Sequence, residues 1–144
     1  MSEQATAAME KAMPKHGEVC WTEIATNNLE ACKGFYSELF GWKLKESKAT
    51  GEMGMEYIEF GASESCPSGG MYQMGKEYGD APPHWMSYVS VDDVDAAAAK
   101  VWELGGKVCV PPTDILNVGR FSVVSDPTGA TFSMITLKAW DSAS

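Results

Sequence analysis

Thr26-Asn27-Asn28-Leu29-Glu30-Ala31, followed by Leu39-Phe40-Gly41-Trp42-Lys43-Leu44, is the stretch that decides the fold, because its punctuation returns. Sixty-five residues on, the chain reads Val91-Asp92-Asp93-Val94-Asp95-Ala96 and then Leu104-Gly105-Gly106-Lys107-Val108. A second correspondence sits at an offset of sixty: Cys66-Pro67-Ser68-Gly69-Gly70-Met71-Tyr72-Gln73-Met74 lies over Asp126-Pro127-Thr128-Gly129-Ala130-Thr131-Phe132-Ser133-Met134. Identity between the halves is low, but turn and cap residues recur in the same order, which is the mark of an internal repeat.

Each half opens on a run rich in β-branched and aromatic residues, Glu18 to Ala25 and His84 to Val91, and each run reads as a strand. A capped helix follows. Asn27 with Glu30, and Asp92 with Asp95, offer side-chain acceptors to the first-turn N–H groups. Leu29, Cys32, Phe35, Tyr36, Leu39 and Phe40 share one helical face, as do Val94, Ala97, Ala98, Val101 and Leu104. Gly41 and Gly105-Gly106 supply left-handed stops. Three short extended runs then follow each helix, at about 42–47, 55–61 and 69–75, and at about 107–110, 119–125 and 130–137. Gly51, Gly54, Pro67, Pro111 and Pro112 read as turn residues between them. The class is therefore α+β, two tandem βαβββ modules. Their expected bounds are 17–75 and 84–138, with an arm over 1–16, an exposed linker over 76–83 and a frayed tail over 139–144. One such sheet with a single helix cannot cover both its faces. Pairing two creates a curved-sheet trough, and concave sites of that kind bind small ligands.

Composition bounds the function. A net charge of −9 repels phosphate backbones and anionic lipid, so nucleic acid and membrane are not expected partners. No apolar run is long enough to span a bilayer, and Met1 to Gly17 lacks a signal peptide's basic start and apolar stretch, so the expected compartment is the cytoplasm. Cys20, Cys32, Cys66 and Cys109 form no CxxC pair and read as buried, reduced, small apolar residues. A homodimer is expected, because folds of this kind leave sheet edges to cover.

The order and spacing of Asn28-Leu29-Glu30-Ala31, Phe35-Tyr36, Leu39-Phe40-Gly41-Trp42, Asp92-Asp93-Val94-Asp95-Ala96-Ala97 and Asp126-Pro127-Thr128-Gly129 resemble the glyoxalase/bleomycin-resistance/dioxygenase (vicinal oxygen chelate) superfamily over residues 17–138. The resemblance implies the glyoxalase/bleomycin resistance/dihydroxybiphenyl dioxygenase fold. It also implies one of several activities: metal-dependent isomerase, lyase, dioxygenase, epimerase, or metal-free drug sequestration. In metal-using members the ligands sit on the first and last strands of each module. Carried onto this chain, those positions are Trp21, Gln73, Met86 and Ser133. None supplies the imidazole, carboxylate or thiolate that a divalent ion needs, so no metal ligand and no cofactor are expected.

Strand alternation places Val19, Trp21, Glu23 and Ala25, then His84, Met86, Tyr88 and Ser90, toward the cleft, with Met71, Gln73, Thr131 and Ser133 joining from the last strands. Cys20, Thr22, Ile24, Trp85 and Val89 are expected beneath the helices. Trp21 is an aromatic wall or a plug. Glu23 is a general base or the anchor for a cation, and His84 a proton-exchanging group. Tyr57 and Tyr88 are hydrogen-bond donors to a ligand, and Glu59 faces the cleft or solvent. Arg120 either binds a carboxylate or neutralises Glu23 or Glu59. Three readings stand. The first is a metal-free module binding a small, partly aromatic molecule through Trp21, Glu23, Tyr57, Glu59, Gln73, Met86, Tyr88, Arg120 and Ser133. The second is an enzyme using Glu23 and His84 as acid–base groups, or as ligands of a relocated metal with Glu59. The third is an interaction protein with a vestigial cleft.

Overall fold

The computed structural model describes residues 13–47, 56–116 and 118–138. The start of the expected arm, the tail after Lys138, and the turns at Gly51 and Gly54 lie outside the described residues.

The order of elements is the expected one, twice over. The first module holds β1 (Val19–Thr26), α1 (Leu29–Phe40), β2 (Lys43–Glu46), β3 (Tyr57–Gly61) and β4 (Gly69–Gln73). A single 3-10 turn, Lys76–Tyr78, interrupts the join. The second module holds β5 (His84–Ser90), α2 (Val94–Glu103), β6 (Lys107–Ile115), β7 (Gly119–Ser125) and β8 (Thr131–Leu137). In strand order the first runs β2-β3-β4-β1 and the second β5-β8-β7-β6. The last strand of each module lies parallel to the first, β4 on β1 and β8 on β5, and the other pairs are antiparallel. The chain divides into two compact units, Trp21–Met86 and the remainder, so the unit boundaries cut inside β1 and β5.

In the Trp21–Met86 unit, Ile24, Leu29, Ile58, Phe60 and Met71 form the core, and Cys32, Tyr36, Trp42 and Leu44 pack against it. Phe60 and Met71 are almost entirely buried; enclosing a side chain of that size contributes about 1.5–3 kcal/mol. In the other unit the core is Val91, Val94, Ala98, Val124 and Met134. Helix α1 carries more apolar residues than its sheet can cover. Leu29 is buried and Tyr36 half-buried, while Phe35, Leu39 and Phe40 stay exposed. Trp85, expected beneath the helix of its own module, instead packs edge-on against Tyr36, Trp42 and Phe60 of the first.

Local chemistry explains the helix ends. The caps sit one residue later than the spacing suggests. Asn28 Oδ1 accepts from Ala31 N, and Asp93 Oδ1 accepts from Asp95 N and Ala96 N. Thr26 Oγ1 accepts from Asn28 N, which leaves Asn28 rather than Asn27 as the first-turn acceptor. Gly41 ends α1 at φ +69° with its N–H on Ser37 O, a backbone geometry that a side chain would strain.

Each helix receives a second cap from the last strand of its own module. Gln73 Oε1 accepts from Leu29 N at 2.9 Å, and Thr136 Oγ1 accepts from Val94 N at 2.9 Å. Thr136 also donates to Val91 O. Gln73 and Thr136 are thus structural equivalents, and so are the core residues Met71 and Met134. The last strands therefore correspond at an offset of sixty-three, not sixty. That shift corrects the facing of β4. Met71 and Gln73 point to the helix side, whereas Gly70 and Tyr72 occupy the other face.

Three further expectations are corrected. Pro111 and Pro112 lie inside β6, not in a turn. They are tolerated because β6 stands at the end of its unit's strand order and its pairing with β7 is irregular between Val108 and Thr113. Cys66 and Cys109 are exposed, and Cys20 and Cys32 only half-buried. Arg120 neutralises neither Glu23 nor Glu59. Its Nε and Nη2 donate to the two oxygens of Asp95 at 2.8 and 3.1 Å, and Nη1 donates to Asp114 at 3.1 Å. Arg120 shares the helix-facing side of β7 with Val124, which is why the first turn of α2 captures it.

Gln73→Ala and Thr136→Val should each lower unfolding free energy by about 1 kcal/mol in urea titrations, because each strips one helix N-terminus of an acceptor. The Arg120 hydrogen bonds hold the Asp95 carboxyl below its ordinary value of 3.8. A carboxyl depressed on folding stabilises above its unfolded value and loses that contribution as pH falls through the folded one. The stability gap between wild type and Asp95→Asn should therefore be open at pH 6 and close as pH drops below about 4. A gap independent of pH would refute the role assigned to this pair.

Candidate functional site

On β1, Trp21 and Glu23 project from the side opposite the core, since Ile24 between Glu23 and Ala25 is buried under α1. On β3 the alternation is equally clean. Ile58 and Phe60 enter the core, and Tyr57 and Glu59 take the other face. Register then brings the strands together: Glu23 lies opposite Gly70 on β4, Gly70 opposite Glu59, and Tyr57 opposite Tyr72. The result is a hydrogen-bonded chain. Trp21 Nε1 donates to Tyr57 Oη at 2.8 Å, and Tyr57 Oη donates to Glu23 Oε2 at 2.9 Å. All three residues are half-buried.

Two tyrosines extend this face. Tyr72 stacks near-parallel on Tyr57 with centroids 6.3 Å apart. Its hydroxyl donates to Tyr78 Oη at 3.2 Å, and the two rings meet at 6.0 Å. Tyr78 sits in the 3-10 turn, which is closed by Tyr78 N on Gly75 O and Gly79 N on Lys76 O. The join between modules is thus not a bare linker but supplies a side chain to the aromatic wall. Burial first, then the Tyr78 hydrogen bond and the nearby Glu23 and Glu77 charges, hold the Tyr72 phenol well above the ordinary tyrosine range. Tyr72 therefore stays a neutral donor across physiological pH.

Gly70 makes the arrangement possible. A β-carbon there would stand 2.1–2.3 Å from the Tyr57 ring and hydroxyl. With no side chain at residue 70, Tyr57 lies across β4 and reaches Trp21 and Glu23; a β-carbon would make the ring shift. Neighbouring Gly69 is required for a different reason, since a β-carbon would strike Thr22 O.

The structure brings Trp21, Glu23 and Tyr57 together and sets Glu59 on the same face. Met86 is half-buried at the end of the same unit. In the other unit, Tyr88 and Ser133 are register partners on β5 and β8, and both are buried. His84 begins β5 with Nδ1 2.9 Å from Pro82 O. Two expected site residues are placed elsewhere. Gln73 caps α1, and Arg120 is held by Asp95 and Asp114. Sequence reasoning missed Gly70, Tyr72 and Tyr78. The signal for the first two was the pairing of Met71 with Met134 as core residues, which a frame anchored on Pro67 and Pro127 obscured.

The metal positions implied by the resemblance can now be tested against these residues. With the last strands aligned on their caps, the first-module position is Gly70, not Gln73. The first-module pair is then Trp21 and Gly70, an indole N–H donor and a residue without a side chain, and neither offers a ligand atom. Among the described residues no three His, Cys, Asp or Glu side chains converge, so Glu23, His84 and Glu59 do not assemble a replacement. The residues do not fit a divalent ion.

Known proteins agree with this architecture. Residues 19–134 match the family model of the Glyoxalase/Bleomycin resistance protein/Dioxygenase superfamily. The chain is 35% identical over 127 residues to a protein described as glyoxylase CFP32 of Mycobacterium tuberculosis, covering 85% of this chain and 48% of that one. It is 30% identical over 129 residues to the anthracycline biosynthesis protein DnrV of Streptomyces peucetius, covering 82% and 46%. The chain thus spans about half the length of these curated relatives. Among solved structures it resembles methylmalonyl-CoA epimerase of Streptomyces coelicolor, with TM-score 0.62 at 18% identity over 87% of this chain and all of that one. It also resembles the Mycobacterium tuberculosis methylmalonyl-CoA epimerase, with TM-score 0.62 at 13% identity, covering 94% and 99%. At such identity these two show the fold alone. No helix among the described residues is long and apolar enough to cross a membrane. With the family model matched over most of its length and both βαβββ modules in place, the chain belongs to the Glyoxalase/Bleomycin resistance protein/Dioxygenase superfamily.

Proposed function

We propose that this protein binds a small, flat, partly aromatic molecule without a metal ion, through the face built by Trp21, Tyr57, Tyr72 and Tyr78, with Glu23 as the polar anchor. The observation that carries this reading is the chain Trp21 Nε1 to Tyr57 Oη to Glu23 Oε2. It fixes two rings against one carboxylate before any ligand arrives, and pre-organisation of that kind lowers the entropy cost of binding. The tyrosines offer π-faces, and a carboxylate beside them favours a ligand that carries a protonated amine. The net charge of −9 helps draw a cation toward the protein. A relative named for anthracycline biosynthesis supports a planar aromatic ligand.

A second reading rests on the same hydrogen bonds. The Tyr57 hydroxyl donates a hydrogen bond to Glu23, a geometry along which a proton could pass between a bound molecule and the carboxylate, as an acid–base enzyme requires. Turnover that survives chelators and disappears in Glu23→Gln would establish it.

Fluorescence titration with an amine-bearing anthracycline and with its neutral aglycone tests the binding reading. Saturable binding of the amine form is expected. Trp21→Ala should weaken both probes by about tenfold or more. Glu23→Gln should remove the preference for the amine while leaving the aglycone's affinity nearly unchanged. Equal, unsaturable signals for wild type and Trp21→Ala would overturn it.

A further inference from the structure

We propose that Tyr57 occupies the place of the first module's metal-ligating side chain, and that Gly70 is the positioning residue that admits it. This inference concerns how the face is built, and it stands whichever molecule binds there.

Two geometric facts carry it. First, the paired helix caps, Gln73 on Leu29 N and Thr136 on Val94 N, fix which residues of β4 and β8 correspond. That frame equates Gly70 with Ser133, the last-strand ligand position of the second module. Second, the space beyond the Gly70 α-carbon is not empty. The Cε1, Cζ and Oη atoms of Tyr57 lie 2.1–2.3 Å from where a β-carbon would be. The phenol therefore fills the volume through which a last-strand carboxylate would leave the backbone. Its oxygen is bonded to Trp21, the residue at the first-strand ligand position. Both ligand positions of the module are thus tied up in one aromatic pair, and Glu23 accepts a hydrogen bond from the phenol. An ion entering here would need to displace a packed ring and break two hydrogen bonds to gain one carboxylate, which offers too few donors.

The assignment also explains why the ring is locked. Tyr57 is held from above by Tyr72 and at its hydroxyl by Trp21 and Glu23. A side chain at residue 70 cannot be accommodated by a small swing of Tyr57, because the swing breaks the hydrogen bonds that define the face. Gly70 accordingly acts through Tyr57 and not through the backbone alone.

A substitution cycle separates this from a merely structural glycine. Gly70→Ala, Tyr57→Gly and the double variant are compared by thermal unfolding, by tryptophan emission, and by titration with zinc, nickel and manganese ions alone. Gly70→Ala by itself should lower Tm by about 4 °C or more and shift the tryptophan emission as Trp21 loses its acceptor. In the Tyr57→Gly background the same alanine should cost far less, because the ring it collides with is gone. The double variant should fold even if Gly70→Ala does not. Wild type should show no rise in Tm with any of the three ions. Equal costs of the alanine in both backgrounds, or one ion bound per wild-type chain, would overturn the proposal. Neither readout depends on an organic ligand, so failure here is distinct from failure of the anthracycline titration.

Discussion

The hydrogen bond from each helix N-terminus to the last strand of its module is the constraint on which the remaining structure depends. A helix leaves its first N–H groups without partners. Here one of them is satisfied by Gln73 in the first module and by Thr136 in the second. The last strand lies parallel to the first, and this contact accompanies the register that sets Ile24 opposite Met71. Register in a sheet is unforgiving, since a slip of one residue exchanges the two faces. With Gln73 under α1, Met71 must enter the core, and Gly70 and Tyr72 must face away from it. Everything at the candidate site follows from that placement.

The residues of the candidate site are ordered by the core packed beneath them. Glu23 stands on the strand next to buried Ile24, and Tyr57 next to buried Ile58, so both are aimed by core neighbours that cannot rotate away. Their hydrogen bond, and the one from Trp21, convert two flexible side chains and an indole into one rigid surface. A half-buried carboxylate is costly unless it is hydrogen-bonded, and Tyr57 supplies that bond. The price is carried by Gly70 and Gly69, where a β-carbon would collide with the Tyr57 ring and with Thr22 O respectively. A glycine at residue 70 with the Tyr57 phenol over it makes this part of the face aromatic.

Legibility in the sequence varied with the range of the interaction. The two modules, their helices and the glycine stops were readable, because periodicity and cap chemistry are local. Even so, the caps proved to be Asn28 and Asp93, since Thr26 accepts the Asn28 N–H and moves the helix start by one position. Alternation put Trp21 and Glu23 on one face of their strand and hydroxyl chemistry singled out Tyr57; hydrogen bonds join the three in the structure. Gln73 and Arg120 were misassigned for one reason. Each is polar on a strand, and polarity does not say which face a residue takes. Arg120 shares the helix-facing side of β7 with core residue Val124, and there Asp95 in the first turn of α2 and Asp114 across the strand pair hold it.

The sequence by itself determined the repeat, the α+β class and the family, since each is written in patterns a few residues long. It also determined that the inherited ligand positions lack metal-binding side chains. Only the tertiary structure decided which residue stands at the fourth of those positions, because cross-strand register depends on contacts between residues more than forty apart, such as Leu29 with Gln73. It likewise decided that Tyr72 and Tyr78 belong to the wall and that Trp85 packs on the first module's aromatic rings. No local pattern encodes those outcomes. They arise where side chains distant in sequence compete for the same volume, and the glycine at residue 70 settles that competition in favour of Tyr57.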